Sequence, residues 1–503
     1  MKIRNPIIRG FYPDPSICEA NGKYYLACSS FQYFPGVPLF ESSDLVNWKP
    51  IGHCLTRKNQ TDLCQVPSSG GIFAPTLRFY NGTFYMVTNN NTDSRNFYVF
   101  TDHIYEEWSD PVFVDQEGID PSLLFDNGRV YFTSNGNDHN GMPCILQCEI
   151  DIVTGAKLTE TVPIWSGSGG RYPEAPHLYH IGKWYYLLAA EGGTEYGHMV
   201  TYARSENPYG PYEEYAKNPV LTNRNLGGNQ TMIQGVGHGD LIKGPDGQYY
   251  MVCLGFRQSG KWQAYHHLGR EVFLTQIDWQ ADGWFTAGEK GTLSEYPNLN
   301  LPHTIQEEHP YDLNFDISVF ENPRWIFLRD YKMEHYCFRE NRLFLQGTEV
   351  TLNDAASPTF TGVRQSEFFT HLFVTVGGYA EEAGVSFYMD ECQHYDLFCR
   401  NEKGKKEVLL RLRIGDAEQI VSGLEVDIED TPVLEVVSEP DSYSFYTVCK
   451  NKRHSLGKAR SKYLSSEVAG GFTGVVMGLY AVDRGQAWAD FRDLHWHQRS
   501  YPL

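Results

Sequence analysis

Residues 14–30 read DPSICEANGKYYLACSS, and the same phrasing returns four times. The later copies are APTLRFYNGTFYMVTNN from Ala74, DPSLLFDNGRVYFTSNG from Asp120, EAPHLYHIGKWYYLLAAEG from Glu174 and HGDLIKGPDGQYYMVCLGF from His238. Most copies open on a small or acidic residue, the fifth on His238, and all turn on a Gly usually written Asn-Gly or Asp-Gly. Each then leaves in an aromatic-rich strand. Gly supplies the positive φ that a two-residue hairpin turn requires, so each copy reads as a β-hairpin. Further strand-like pieces follow, such as ESSDLVNWKPI from Glu41 and TDHIYEEWSDPV from Thr101. Successive copies start 60, 46, 54 and 64 residues apart, a spacing that suits four-stranded units with variable loops. Five such units in a ring make a five-bladed β-propeller. A large β-sandwich would explain the hairpins but not one motif repeated five times in fixed order.

Beyond the repeats, residues 291–313 (GTLSEYPNLNLPHTIQEEHPYDL) gain Pro and polar residues and read as a linker. Residues 314–503 turn strand-like again, in HLFVTVGGYA, EVLLRLRIG and GGFTGVVMGLYAV, and are long enough for their own two-sheet core. The expected all-β organisation is therefore a propeller over 1–290, a linker over 291–313 and a C-terminal β-sandwich over 314–503. No helix of length is expected.

The balance of 42 Lys+Arg against 62 Asp+Glu gives a net charge of −20. That field repels phosphate backbones and anionic membrane surfaces, and no basic cluster offsets it, so neither nucleic acid nor membrane is an expected partner. The longest apolar run, VVMGLYAV over 475–482, is the length of one buried strand. The opening MKIRNPIIRGFYPDPS lacks the apolar core of a secretion signal. Eleven Cys without a C-x-x-C pair read as free thiols, which leads to an expected cytoplasmic location. A homo-oligomer is left open. The 33 Tyr, 47 Gly and 14% aromatic content suit turn-linked strands and the aromatic faces of sugar sites.

In a propeller the first strand of each blade lines the central channel. The residues opening the repeats, Asp14, Ala74, Asp120, Glu174 and His238, should therefore converge at one end of the axis. Asp before Pro is also an ordinary turn initiator. Three carboxylates gathered in one register, however, cost stability, and function is the better account of them. His238 taken alone reads as a structural histidine, and its position in the ring sets a functional reading level with that one. Paired carboxylates at a pocket point to glycoside hydrolysis, with one protonated to serve the leaving oxygen and one ionised to activate water or attack the sugar. A third carboxylate beside the acid raises its pKa.

With these residues in place, the chain closely resembles glycoside hydrolase family 43, in particular its two-domain β-xylosidase and α-L-arabinofuranosidase members. The motifs are DPS at Asp14, SSGGIFAPTL from Ser68, GIDPSLLFD around Asp120, YPEAPHLY around Glu174, GVGHGDLI around His238 and LGREVFL from Leu268. More weakly, GGFTGVVMGLYAVDRG resembles the jelly-roll domain such members append. The resemblance implies an inverting exo-glycosidase that removes non-reducing-end β-D-xylose or α-L-arabinofuranose from xylo- and arabinoxylo-oligosaccharides. It implies Asp14 as general base, Glu174 as general acid and Asp120 as the residue orienting the acid and raising its pKa. In inverting enzymes the base and acid stand roughly 6.5–9.5 Å apart. The resemblance further implies that Arg270 and His238 bind substrate and that Phe31 and Phe73 line the sugar pocket. No cofactor is required, though some members hold a calcium ion at the His238 position. Phe73 stands where xylosidase members place Trp, and a smaller ring there widens the pocket for a furanose or for both sugars. Two alternatives accompany this expectation. A retaining fructosidase-like propeller would use Asp14 as nucleophile but tends to write Glu-Cys at the acid, where this chain has Glu174-Ala175. A carbohydrate-binding propeller without catalysis needs no acid pair.

Overall fold

The computed structural model describes residues 3–260, 262–299, 301, 306 and 312–500. The five repeats form five separate four-stranded antiparallel sheets, whose first strands are Ser16–Ala20, Thr76–Tyr80, Ser122–Asp126, Glu174–Ile181 and Ile233–Lys243. The expected five-bladed propeller is therefore present. In the first three hairpins both turn residues take positive φ, at Asn21-Gly22, Asn81-Gly82 and Asn127-Gly128. Asn and Gly tolerate that conformation where other residues are strained, so these dipeptides set the register of the strands they join.

A buried carboxylate ties the ring together across its axis. Asp240, fully removed from solvent, accepts hydrogen bonds from Ser16 Oγ at 2.6 Å, Ile17 N at 3.0 Å, Arg78 Nη1 at 2.9 Å and Tyr179 OH at 2.5 Å. These donors come from blades one, two and four, so one side chain of blade five fastens four blades. Burial opposes its ionisation, but Arg78, His177 and Ser16 outweigh burial and hold Asp240 well below the ordinary carboxylate range. The N-terminal segment closes the ring from outside. Ile7 N donates to Val272 O at 2.9 Å, and the Asn5 amide exchanges bonds with both backbone groups of Leu274.

The C-terminal region is a sandwich of two eight-stranded sheets, one of which takes its edge strand from the propeller. Its core takes alternate residues from facing strands, such as Leu372, Val374 and Val376 against Val385, Phe387 and Met389, as the two-residue period of a pleated strand requires. Strand Val476–Val482 is apolar on both faces for a reason. Met477, Leu479 and Ala481 enter the sandwich core, while Val476 and Tyr480 join a second cluster that contains Phe11, Phe31 and Tyr33 of the propeller. The two regions also share a sheet, since propeller strand Tyr33–Phe34 pairs with Ile326–Leu328 at the sandwich edge.

The linker expected over 291–313 ends in structure. Leu313–Asn314 already form a strand on Trp488–Arg499. Before that, Leu301 is buried in a propeller cluster. Residues 300, 302–305 and 307–311 of that stretch lie outside the described residues.

Candidate active site

Asp14, Asp120 and His238 converge at one end of the propeller axis. Each takes a left-handed backbone conformation, with φ of 56°, 55° and 50°, and blade four does so at Ala175, with φ of 49°. That corrects one expectation. The register partner of Asp14-Pro15 and Asp120-Pro121 in blade four is Ala175-Pro176, and Glu174 stands one residue ahead of the ring position. The cause is a bulge. Glu174 pairs with Ala190 and His177 with Leu188, so one extra residue is accommodated between the two pairs. A bulge re-aims the side chain that leaves it, and it delivers the blade-four acid to the site from a different backbone position.

Asp14 is almost fully buried and heavily bonded. Its Oδ1 accepts from Arg270 Nη1 at 2.9 Å, its Oδ2 accepts from Ser29 Oγ at 2.5 Å, and His238 Nδ1 lies 3.6 Å from Oδ1. Burial pulls its pKa upward, but Arg270, His238 and Ser29 outweigh burial and leave it below the ordinary value. The other two carboxyls move the opposite way. Asp120 is raised well above its ordinary range by burial first, then by Glu174 and Asp14, with Ala175 N–H donating to its Oδ2 at 3.0 Å as a partial counterweight. Glu174 is raised to about 7 by burial and by Asp14, against Arg270. Asp120 and Glu174 are close enough to titrate together, so protons belong to the pair. The site therefore holds one ionised carboxylate and a carboxyl pair that retains a proton near neutrality.

The approach to each acid is pinned. Gly118, two residues before Asp120, packs so closely on Asn135 that a Cβ there would fall 1.6 Å from its carbonyl oxygen. The loop before Glu174 is held by buried Glu191, which accepts from Ser168 N at 2.7 Å, Gly170 N at 2.6 Å and Thr201 Oγ1 at 2.6 Å.

Arg270 links the acids to an aromatic wall. Besides Asp14 it donates to Thr194 Oγ1 at 2.7 Å and to the Phe472 carbonyl at 3.3 Å, and its guanidinium lies 5.7 Å from the Phe31 ring centre. Phe31 and Phe73 come together as expected, with ring centres 5.1 Å apart. A third ring completes the wall. Phe472, on the sandwich loop before Val476–Val482, lies 6.0 Å from Phe31 and 6.2 Å from Phe73, and its N–H donates to Ser69 Oγ at 2.8 Å. Phe472 is not among the residues the sequence suggested, although its Gly470-Gly471-Phe472 setting is an aromatic on a turn. Also unanticipated is His198, buried in the site, whose Nδ1–H donates to Gly235 O at 3.0 Å. Burial lowers His198 to about 3 and also lowers His238, so both rings are neutral. Among the described residues no three His, Cys, Asp or Glu gather as a metal site, and Arg270 is one of the charges acting on His238.

Residues 3–285 match the pattern of glycosyl hydrolases family 43. The chain belongs to that family. Residues 314–497 match the β-xylosidase C-terminal concanavalin A-like domain. This family 43 chain is 38% identical to a non-reducing end α-L-arabinofuranosidase of Bacteroides ovatus, over 98% of this chain and 95% of the relative. It is 32% identical to a β-xylosidase of Bacillus subtilis, over 99% of this chain and 100% of the relative. The solved xylan β-1,4-xylosidase of Bacillus halodurans superposes with a TM-score of 0.91 at 28% identity, covering 99% of this chain and 100% of that one. The family 43 protein is a glycoside hydrolase, which sets aside the non-catalytic binding propeller.

Proposed function

We propose that this chain releases single pentose units, β-D-xylose or α-L-arabinofuranose, from the non-reducing ends of xylo- and arabinoxylo-oligosaccharides, with inversion at the anomeric carbon. The observation that carries the proposal is the split among three neighbouring carboxyls, with Asp14 held down and Asp120 and Glu174 pushed up. Asp14 takes a proton from water as the water oxygen attacks the anomeric carbon. The glycosidic C–O bond breaks, and the departing oxygen takes the proton of Glu174. Asp120 acts through Glu174, keeping a proton on the pair until substrate needs it. Arg270 and His238 face the sugar hydroxyls beside Asp14, and Phe31, Phe73 and Phe472 offer rings to its C–H face.

Phe472 arrives from the sandwich and adds a wall, which supports a pocket for a chain end over an open groove. Catalysis is assigned to the propeller, 1–290, with the sandwich, 314–503, completing the pocket. Phe73 in place of Trp, together with the named activity of the Bacteroides ovatus relative, favours arabinofuranose. All eleven cysteines are unpaired, which supports a reducing compartment such as the cytoplasm and oligosaccharides as the substrates met there.

The test assays aryl β-xyloside, aryl α-L-arabinofuranoside and arabinoxylo-oligosaccharides with one purified sample, and follows the first-formed anomer by proton NMR. Release of pentose alone, first in the inverted configuration, is expected. Release of internal fragments, or of the retained anomer, would overturn the proposal.

A further inference from the structure

Arg270 reaches Asp14 with the same nitrogen that donates to Thr194: Nη1 lies 2.9 Å from Asp14 Oδ1 and 2.7 Å from Thr194 Oγ1. Thr194 sits in a tight loop over residues 192–197, whose ends press together so closely that a Cβ on Gly192 would fall 2.1 Å from the Gly197 carbonyl oxygen. Thr194 is a fixed support for Arg270 only while that loop is held.

The hold comes from the sandwich. Tyr196, two residues beyond Thr194, donates its OH to Glu467 Oε1 at 2.7 Å. Glu467 lies in the short helix Ser466–Ala469, five residues before Phe472. The same carboxylate accepts twice from His266, at Oε1 from Nδ1–H over 2.8 Å and at Oε2 from the backbone N–H over 3.0 Å. The His266 ring stacks on Phe256 at 3.8 Å, and the Tyr196 ring meets Phe256 edge-on at 5.1 Å. Burial opposes the charge on Glu467, but His266 and Tyr196 outweigh burial and hold the group down at about 2.

His266 stands four residues before Arg270, and the stretch between them is gripped by the same sandwich loop. Ser466 N–H donates to His266 O at 3.3 Å, and Val475 N–H donates to His267 O at 2.9 Å. Gly474 packs so tightly that a Cβ there would lie 2.5 Å from Leu268 O. Glu467 thus fixes both supports of Arg270, the Thr194 loop through Tyr196 and the 266–270 stretch through His266.

We propose that Glu467 is a positioning residue for the general base, a latch on the sandwich that keeps the Arg270 guanidinium on Asp14. It touches neither the sugar nor the reacting atoms. The inference rests on the reading of Asp14 as base given above. Against burial, Arg270 leads the groups that hold Asp14 down, ahead of His238, Ser29 and His198, with Asp120 and Glu174 as the facing carboxyls. A loosened Arg270 therefore lets the pKa of Asp14 rise.

Wild type, Glu467→Ala, Glu467→Gln and Phe472→Ala, each as the full chain, are compared by two measurements. Hydrogen exchange should run about tenfold or more faster over residues 192–198 in Glu467→Ala, with Glu467→Gln between it and wild type, because the amide keeps one acceptor oxygen and loses the charge. The acidic limb of kcat/KM on an aryl pentoside should move to higher pH in Glu467→Ala, by about half a pH unit or more, and less in Glu467→Gln. Phe472→Ala, which loses only a ring, should leave that limb in place. Should Glu467→Ala fail to fold, Glu467→Gln and Tyr196→Phe carry the same comparison. Exchange equal to wild type over 192–198, or a limb that stays in place while the loop loosens, would overturn the latch. A wild type inactive on pentosides overturns the proposed function instead, and the exchange measurement then decides for or against the latch.

Discussion

Arg270 Nη1 donates to Asp14 Oδ1 at 2.9 Å, with each side chain less than one-tenth exposed. The pair decides which of three neighbouring carboxyls is ionised. Without the guanidinium, burial would push Asp14 upward as it does its neighbours.

Arg270→Met should therefore raise the pKa of Asp14 and move the acidic limb of the kcat/KM profile to higher pH. A base with a lowered pKa works down to that pKa, and losing its cation narrows the active range from below. An uncompensated buried carboxylate also costs about 3–5 kcal/mol. Turnover at the original optimum should fall by two orders of magnitude or more, read from kcat/KM across pH.

Glu174 supplies the basic limb. Activity should decline above about pH 7 as the Asp120–Glu174 pair loses its proton. The same shift destabilises the fold. A carboxyl whose pKa rises from 4.5 to about 7 on folding binds more protons native than unfolded, so its stability contribution is lost as pH climbs through that window. Glu174→Gln should match wild type in unfolding free energy near pH 4.5 and exceed it at pH 8, by up to about 3 kcal/mol at roughly 1.4 kcal/mol for each pKa unit. Thermal unfolding at the two pH values checks the crossover.

The third ring of the aromatic wall predicts that the sandwich takes part in substrate binding. Phe472→Ala should raise KM for pentosides about tenfold while kcat falls less, because the acids keep their geometry. Steady-state kinetics on one aryl pentoside separates the two parameters. An unchanged KM would remove Phe472 from the pocket.

The Phe73 ring centre lies 5.1 Å from that of Phe31, in the aromatic wall that also holds Phe472. Phe73→Trp narrows the pocket, and it should shift the ratio of aryl xyloside to aryl arabinofuranoside kcat/KM toward xyloside by about tenfold, the scale of one pocket contact. Loss of both activities in proportion would show that the ring acts on positioning and not on selection.

Much of this was readable beforehand because its causes are local. Asn21-Gly22 and its copies impose hairpins through two adjacent backbone angles, and the strand pattern follows from them. Asp14 and Asp120 were legible because Asp-Pro recurs in register. Glu174 is legible as an acid but its ring position is not, since Glu-Ala-Pro offers two residues for one position and the bulge that decides between them depends on pairing with Trp184–Glu191. Phe472 and the Asp240 brace left no local trace. Phe472 meets Ser69 across 403 residues and Asp240 meets Arg78 across 162, and only the closed ring and the docked sandwich bring them together.

The division of labour between Asp14 and Glu174 is tested most directly by leaving-group dependence. Wild type, Asp14→Ala and Glu174→Ala are compared on two aryl pentosides, one with a poor leaving group and one with a 2,4-dinitrophenyl group that departs without a proton. Glu174→Ala should lose roughly 10²–10⁴-fold on the poor leaving group and far less on the activated one, while Asp14→Ala should lose heavily on both. Equal losses for Glu174→Ala on the two substrates, or near-normal turnover in Asp14→Ala, would contradict the assignment.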